Sequence, residues 1–194
     1  MNRVDPVRER ILAAARAEFS AHGESAASVR VIASQAGVTA AMINYHFGGK
    51  SALHEAVVAE AQGRLMVRLS SALAAPRTSR EDLAAAVAGA YFDFLAEDRE
   101  LQRILLRVVL DGGGRAFAKK LVRPLRGILA ERFGAGDDVA ERAISLFGAI
   151  AGYFLYEPLL AEMLDEDPLS EERLRARRKH VVALARRMAK EARS

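Results

Sequence analysis

Apolar positions along this chain recur at three- and four-residue intervals almost from end to end, the period of helices with one buried face. Asp5-Pro6 opens the first: an acidic N-cap, then proline at the first helical position, where a missing N–H costs nothing. Ile11, Leu12, Ala15 and Phe19 form one stripe, and Gly23 stops it. Ser28 starts a second helix with Val29, Ile32, Ala33 and Ala36 on one side, ending at Gly37. Thr39 caps a third, which turns Ile43 and Phe47 inward before Gly48-Gly49 breaks it. A long amphipathic helix follows from Lys50 to about Ala74. The pattern predicts five more, at about 80–97, 99–111, 115–133, 138–164 and 171–192, with Thr78 and Glu81 at capping-box spacing. Gly112-Gly113-Gly114 and Gly134-Ala135-Gly136 are the clearest breaks, and Pro124 and Pro158 should kink the helices that contain them. The expected fold is all-α, with about nine helices and no internal repeat.

Composition narrows the class. Alanine dominates a hydrophobic fraction of 51% in 194 residues, enough for one large core or two small ones without covalent staples. No cysteine is present, which excludes disulfides, thiolate catalysis and cysteine zinc sites and fits a reducing compartment. The first residues, Met1-Asn2-Arg3-Val4-Asp5-Pro6, lack the apolar core of a secretory signal. The longest uncharged run, between Arg142 and Glu157, is too short to cross a hydrocarbon layer of roughly 30 Å. A soluble, cytoplasmic protein with no membrane partner is expected.

Two short helices, Ser28 to Ala36 and Thr39 to Phe47, meet at a turn of only Gly37 and Val38, the geometry of a helix-turn-helix. Glycine suits that turn because the preceding helix must end in a left-handed conformation. Ala33 is small enough for the second helix to cross close by, and Ile32, Val38, Ile43 and Phe47 complete a core with the first stripe. Ala40, Ala41, Asn44 and Tyr45 are left facing outward.

The stretch Ser28-Val29-Arg30, Ile32-Ala33, Ala36-Gly37-Val38-Thr39, Ile43-Asn44-Tyr45-His46-Phe47 and Lys50 resembles the DNA-binding domain of TetR-family regulators over about the first 55 residues. The resemblance implies a homodimeric repressor with a helix-turn-helix domain over 1–50 and a ligand-sensing and dimerisation domain over 51–194, released from double-stranded operator DNA by a small-molecule effector. Ser28 and Thr39 would donate hydroxyls to phosphate at helix N-termini that already favour anions. Arg30 and Lys50 would neutralise phosphates, Ala40 and Ala41 would meet thymine methyls, and Asn44, Tyr45 and His46 would contact bases or nearby backbone. The chain departs from the family at Asn44, where tyrosine is usual. A net charge of +4 suits a polyanionic partner, yet the first 55 residues are nearly balanced, so binding would rest on placement of charge and on two subunits acting together. The alternative is a helical interaction or adaptor module that kept the fold and lost operator binding.

Other signals point away from chemistry. Gly49-Lys50-Ser51 mimics the end of a phosphate loop, but no strand precedes it. Asp111-Gly112-Gly113-Gly114-Arg115 reads as a flexible loop. His22, His46, His54 and His180 are scattered and no Ser-His-acid grouping stands out, so neither metal, cofactor nor enzymatic activity is expected.

In the second half, the run from Ala143 to Tyr156 is apolar nearly all round and is expected to be buried on more than one face. Gly148-x-x-x-Gly152, flanked by Ser145 and Ala149, suits close helix approach, either within the chain or across a dimer. The family resemblance favours a four-helix dimer bundle from the last two long helices, with Ser145, Gly148, Ala149, Gly152 and Tyr153 at the interface and reading heads about 34 to 36 Å apart. Tyr91, Phe92, Phe94, Leu95, Leu105, Val108, Phe117 and Leu121 supply apolar surface for a ligand cavity or simply for a core. The arginine-rich last helix reads as a solvated face or a second nucleic-acid patch.

Overall fold

The computed structural model describes residues 5–76, 79–134 and 136–191, and every regular element among them is helical. In order these are α1 (Pro6–Ala26), α2 (Val29–Ala36), α3 (Ala40–Phe47), α4 (Lys50–Ala74), α5 (Arg80–Glu97), α6 (Arg99–Val108), a π turn (Val109–Gly113), α7 (Gly114–Phe133), α8 (Asp137–Leu155), α9 (Glu157–Leu164) and α10 (Glu171–Glu191). Three expectations are corrected. The glycine run at 112–114 is not a loop: the π turn leads straight into α7, because glycine weakens a helix without forbidding it and a wider turn absorbs a residue without ending the ladder. The helix expected over 138–164 is two, bent by 78° at Tyr156, since Pro158 has no N–H to continue the ladder and sits instead in the first turn of α9. α5 is capped by Ser79, whose Oγ accepts from Asp82 N at 3.0 Å; Thr78 lies outside the described residues, as does Ala135.

The chain forms two compact units. One comprises the chain up to Arg64 together with Arg99–Arg115. Asp5 caps α1 by accepting from Val7 N at 3.0 Å, and α1 is interrupted at Gly23 (φ 74°, ψ 173°). Ile11, Ala15, Phe19, Ile32, Ile43, Leu53 and Val57 are almost wholly buried together, and Ile104 of α6 joins them. Each large side chain so buried stabilises the unit by about 1.5–3 kcal/mol, which holds α2 and α3 rigidly on α1. From the middle of α1, Arg16 pairs with Glu60 of α4 and Glu100 of α6, and further along Ala21 O accepts from Arg107 at 3.1 Å.

The second unit comprises Leu65–Asp98 and the chain from Ala116 onward. Here α10 packs chiefly along α5 and also meets α8. Val181 and Ala185 of α10 are buried, as are Phe92, Phe94 and Leu95 of α5, and Phe92 meets Phe154 of α8 at 5.3 Å between ring centres. The cations of α10 are not simply solvated: Arg178 grips Asp93 with two bonds of 2.6 and 2.8 Å, Arg186 pairs with Asp82 at 2.7 Å, and Arg177 donates to Ala149 O at 2.5 Å. Carboxylate hydrogen bonding to Asp93 holds the Arg178 guanidinium above its ordinary pKa. Among the described residues no single helix is long and apolar enough to cross a membrane.

Candidate nucleic-acid interface

Local chemistry sets the two short helices. The backbone N–H of Ser28 donates to Oε1 of the buried Glu18 at 2.9 Å, and Ser28 Oγ accepts from Val31 N at 3.4 Å. α2 ends where Gly37 adopts φ 64°, ψ 41°, a left-handed turn in which Val38 N reaches Ala33 O at 2.9 Å. Two residues on, Thr39 Oγ1 accepts from Met42 N at 3.3 Å and starts α3. Gly48 (φ 87°) closes α3 with its N–H on Asn44 O. With Ile43 fully buried the helix cannot roll about its axis, so the direction of its outer residues is settled by the core.

Those outer residues are the expected ones: Ala40, Ala41 and Asn44 are exposed, and Tyr45 is 87% exposed. Thr39 is exposed and Ser28 half-buried. Capping uses a lone pair of each hydroxyl, so both O–H groups remain free to donate. Arg30 is exposed and engages no partner among the described residues.

Two candidates sit differently. His46 does not face outward with Tyr45; its side chain is only 17% exposed and Nδ1 lies 3.3 Å from Asp5 Oδ2, the same carboxylate that caps α1. Lys50 spends two of its three donors inside the unit, on Ser25 O at 3.0 Å and Ala27 O at 3.3 Å, where it closes the chain between α1 and α2.

Several residues that hold α3 in place escaped the pattern reading. Arg8 stacks its guanidinium 5.0 Å from the Phe47 ring, and Arg10 Nε donates to Ala36 O at 3.1 Å, completing the end of α2. A signal existed: cations near a helix N-terminus oppose its dipole, so they call for partners elsewhere. Glu18 offered none, being one more polar residue on a helix whose burial only the packing reveals.

The remaining candidates belong to other elements. Phe92, Phe94 and Leu95 are core residues of the second unit, whereas Leu105, buried, and Val108, half-buried, belong to α6 in the first. Tyr91 is half-buried and stacks on Phe147 at 5.4 Å; burial pushes its phenol well above the ordinary tyrosine range. The side chains of Phe117 and Leu121 lie outside the described ones. Open grooves of about 450 and 370 Å³ run along α10 and between α5 and α10; none of these candidates lines either.

Within the chain, the apolar run of α8 is buried on one face only, through Ile150, Ala151, Tyr153 and Phe154. Ser145 and Gly148 are exposed, Ala149 and Gly152 half-buried, and a Cβ added at Gly148 would meet nothing within 4 Å. Tyr153 points the other way, buried, with its hydroxyl donating to Pro168 O at 2.6 Å and its ring 5.0 Å from the Arg177 guanidinium. Burial raises the Tyr153 pKa, against the opposing pull of Arg177, and lowers that of Arg177. Around the exposed glycine, Ile144, Phe147, Leu155, Tyr156, Leu159 and Met163 form a broad apolar strip over α8 and α9.

Residues 11–57 match the family model described as bacterial regulatory proteins, tetR family. No curated protein matches the chain in sequence. Among solved structures it is similar to a TetR-like transcriptional regulator from Rhodococcus sp. RHA1, at 22% identity over 95% of this chain and 96% of that one, with a TM-score of 0.70. A proposed transcriptional regulator from Pseudomonas aeruginosa PAO1 is 26% identical over 97% and 93%, also at 0.70. The transcriptional regulator FadR from Bacillus subtilis, solved in complex with stearoyl-CoA, is 21% identical over 91% and 96%, at 0.66.

Proposed function

We propose that the chain, whose residues 11–57 match the family model of tetR bacterial regulatory proteins, is a homodimeric repressor released from operator DNA by a small-molecule effector. The observation that carries the reading is the outer surface of α3: a helix held by a buried Ile43, with Ala40, Ala41, Asn44 and Tyr45 exposed on it. Thr39 and Ser28 present free O–H groups beside helix N-termini, and Arg30 stands in solvent, so phosphates on either side of a groove have donors to meet. Lys50 offers its third N–H to the same backbone. His46 acts by fixing the end of α3 to Asp5.

Dimerisation is assigned to the apolar strip of α8 and α9, with Ser145, Gly148, Ala149 and Gly152 allowing helix backbones to approach and Tyr153 bracing α8 from behind. Two reading heads on one duplex multiply modest single-head affinity. The effector side is assigned to the second domain, over 51–194, with the apolar cluster of Tyr91, Phe92, Phe94 and Leu95, all on α5, as its candidate lining. An effector acts only by binding the released state more tightly than the bound one.

The test is binding of the intact chain to duplexes from its own promoter region across a salt series, with sedimentation to give the stoichiometry. Two subunits per site and affinity that falls steeply with salt are expected. A salt-insensitive complex with a protein, and none with DNA, would instead identify the adaptor alternative.

A further inference from the structure

The outer face of α3 is poor in hydrogen-bonding groups. Positions 40, 41, 44 and 45 fall within one arc of about 140°, and no arginine or lysine stands anywhere on the helix. Asn44 is exposed and its side chain makes no hydrogen bond among the described residues, so its carbonyl and its NH₂ are both available. An asparagine is short: it meets a base edge only where the helix lies deep in the major groove. Ala40 and Ala41, exposed beside it, carry only methyl groups and permit that depth.

The four bases differ in what they offer such a face. Adenine presents an N7 acceptor and an N6 donor, the complement of a carboxamide, and thymine presents a methyl group, the complement of alanine. Guanine presents two acceptors, best met by arginine or lysine, which this face lacks. The one imidazole on α3, His46, is turned to Asp5. Tyr45, 87% exposed, has a longer reach and a single hydroxyl, which suits the flanking backbone rather than a bidentate pair.

We propose that α3 selects a half-site whose core is built of A·T pairs, with Asn44 paired to an adenine and Ala40 and Ala41 against thymine methyls; this rests on the DNA-binding reading above. Asn44 is then the specificity-determining residue.

Selection by the intact chain from a randomised duplex pool tests the assignment. A·T pairs should be enriched at the half-site core, and deoxyuridine in place of the core thymines should weaken binding several-fold. Asn44→Ala, a surface change that leaves the core of the unit untouched, should lose about ten- to one-hundredfold of the preference at one A·T pair while still binding duplex. Enrichment of G·C pairs at the core, or undiminished preference in Asn44→Ala, overturns the assignment and leaves the DNA-binding reading standing. A pool from which no duplex is enriched at low salt overturns that reading itself.

Discussion

The guanidinium of Arg107 occupies the space a side chain at Gly23 would need: a Cβ there would stand 2.9 Å from Arg107 Nη1. Gly23 also holds φ 74° with ψ 173°, a region that residues with a Cβ avoid. Arg107 reaches past this break to donate to Ala21 O at 3.1 Å.

Gly23→Ala should therefore destabilise the first unit by about 1–3 kcal/mol. Most of that cost is backbone strain, since the tip of a guanidinium can step aside. Arg107→Ala should cost less, about 1 kcal/mol for one hydrogen bond. Chemical denaturation of the intact chain measures both, and a Gly23→Ala variant as stable as the parent would show that the backbone relaxes.

In the proposed interface Arg30 and Lys50 both meet phosphates, but they differ in structural duty. Each substitution to alanine should lower affinity for every duplex alike and reduce the salt slope by about one. Only Lys50→Ala should also lower stability, because Ser25 O and Ala27 O lose their shared donor. A variant of either residue that altered base preference alone would contradict the phosphate assignment.

The α8–α9 strip is exposed within the chain, so a charge placed on it should disrupt assembly rather than folding. Ile144→Asp or Met163→Asp should yield folded monomers with weakened DNA binding, read by sedimentation and circular dichroism. Tyr153→Phe provides the contrast: it loses the bond to Pro168 O and about 1 kcal/mol of stability, yet remains dimeric. Monomers in the latter and dimers in the former would reverse the assignment.

Alkaline pH should expose the burial of Tyr91. Its folded pKa lies above the unfolded value of 10.0, so the unfolded chain gives up its proton first. Stability is then intact below about pH 10 and falls as pH rises beyond it. Denaturant titrations between pH 8 and 11 should show that decline, and Tyr91→Phe should flatten it. An equal slope in both proteins would mean that the phenol is solvated.

Much of the first unit was legible because its signals are local. A cap and the N–H it satisfies lie two or three residues apart, as in Asp5 with Val7, Ser28 with Val31 and Thr39 with Met42. Gly37 announces its left-handed turn because no other residue adopts it so cheaply. The outer face of α3 followed from the same periodicity that put Ile43 inside. Less visible was the fate of the glycine run at 112–114, whose helical path depends on what flanks it.

By itself the sequence determined most of the helical segments, where most of them start, and which side of α3 meets solvent, since backbone preference and hydrophobic period act over a few residues. Tertiary structure alone decided that His46 turns to Asp5, that Lys50 closes the α1–α2 junction, that Arg178 finds Asp93 across 85 residues of chain, and that α8 leaves Ile144, Phe147 and Leu155 exposed. Which cation meets which oxygen depends on how helices cross, and crossing is set by the summed packing of distant side chains rather than by any neighbour in the chain.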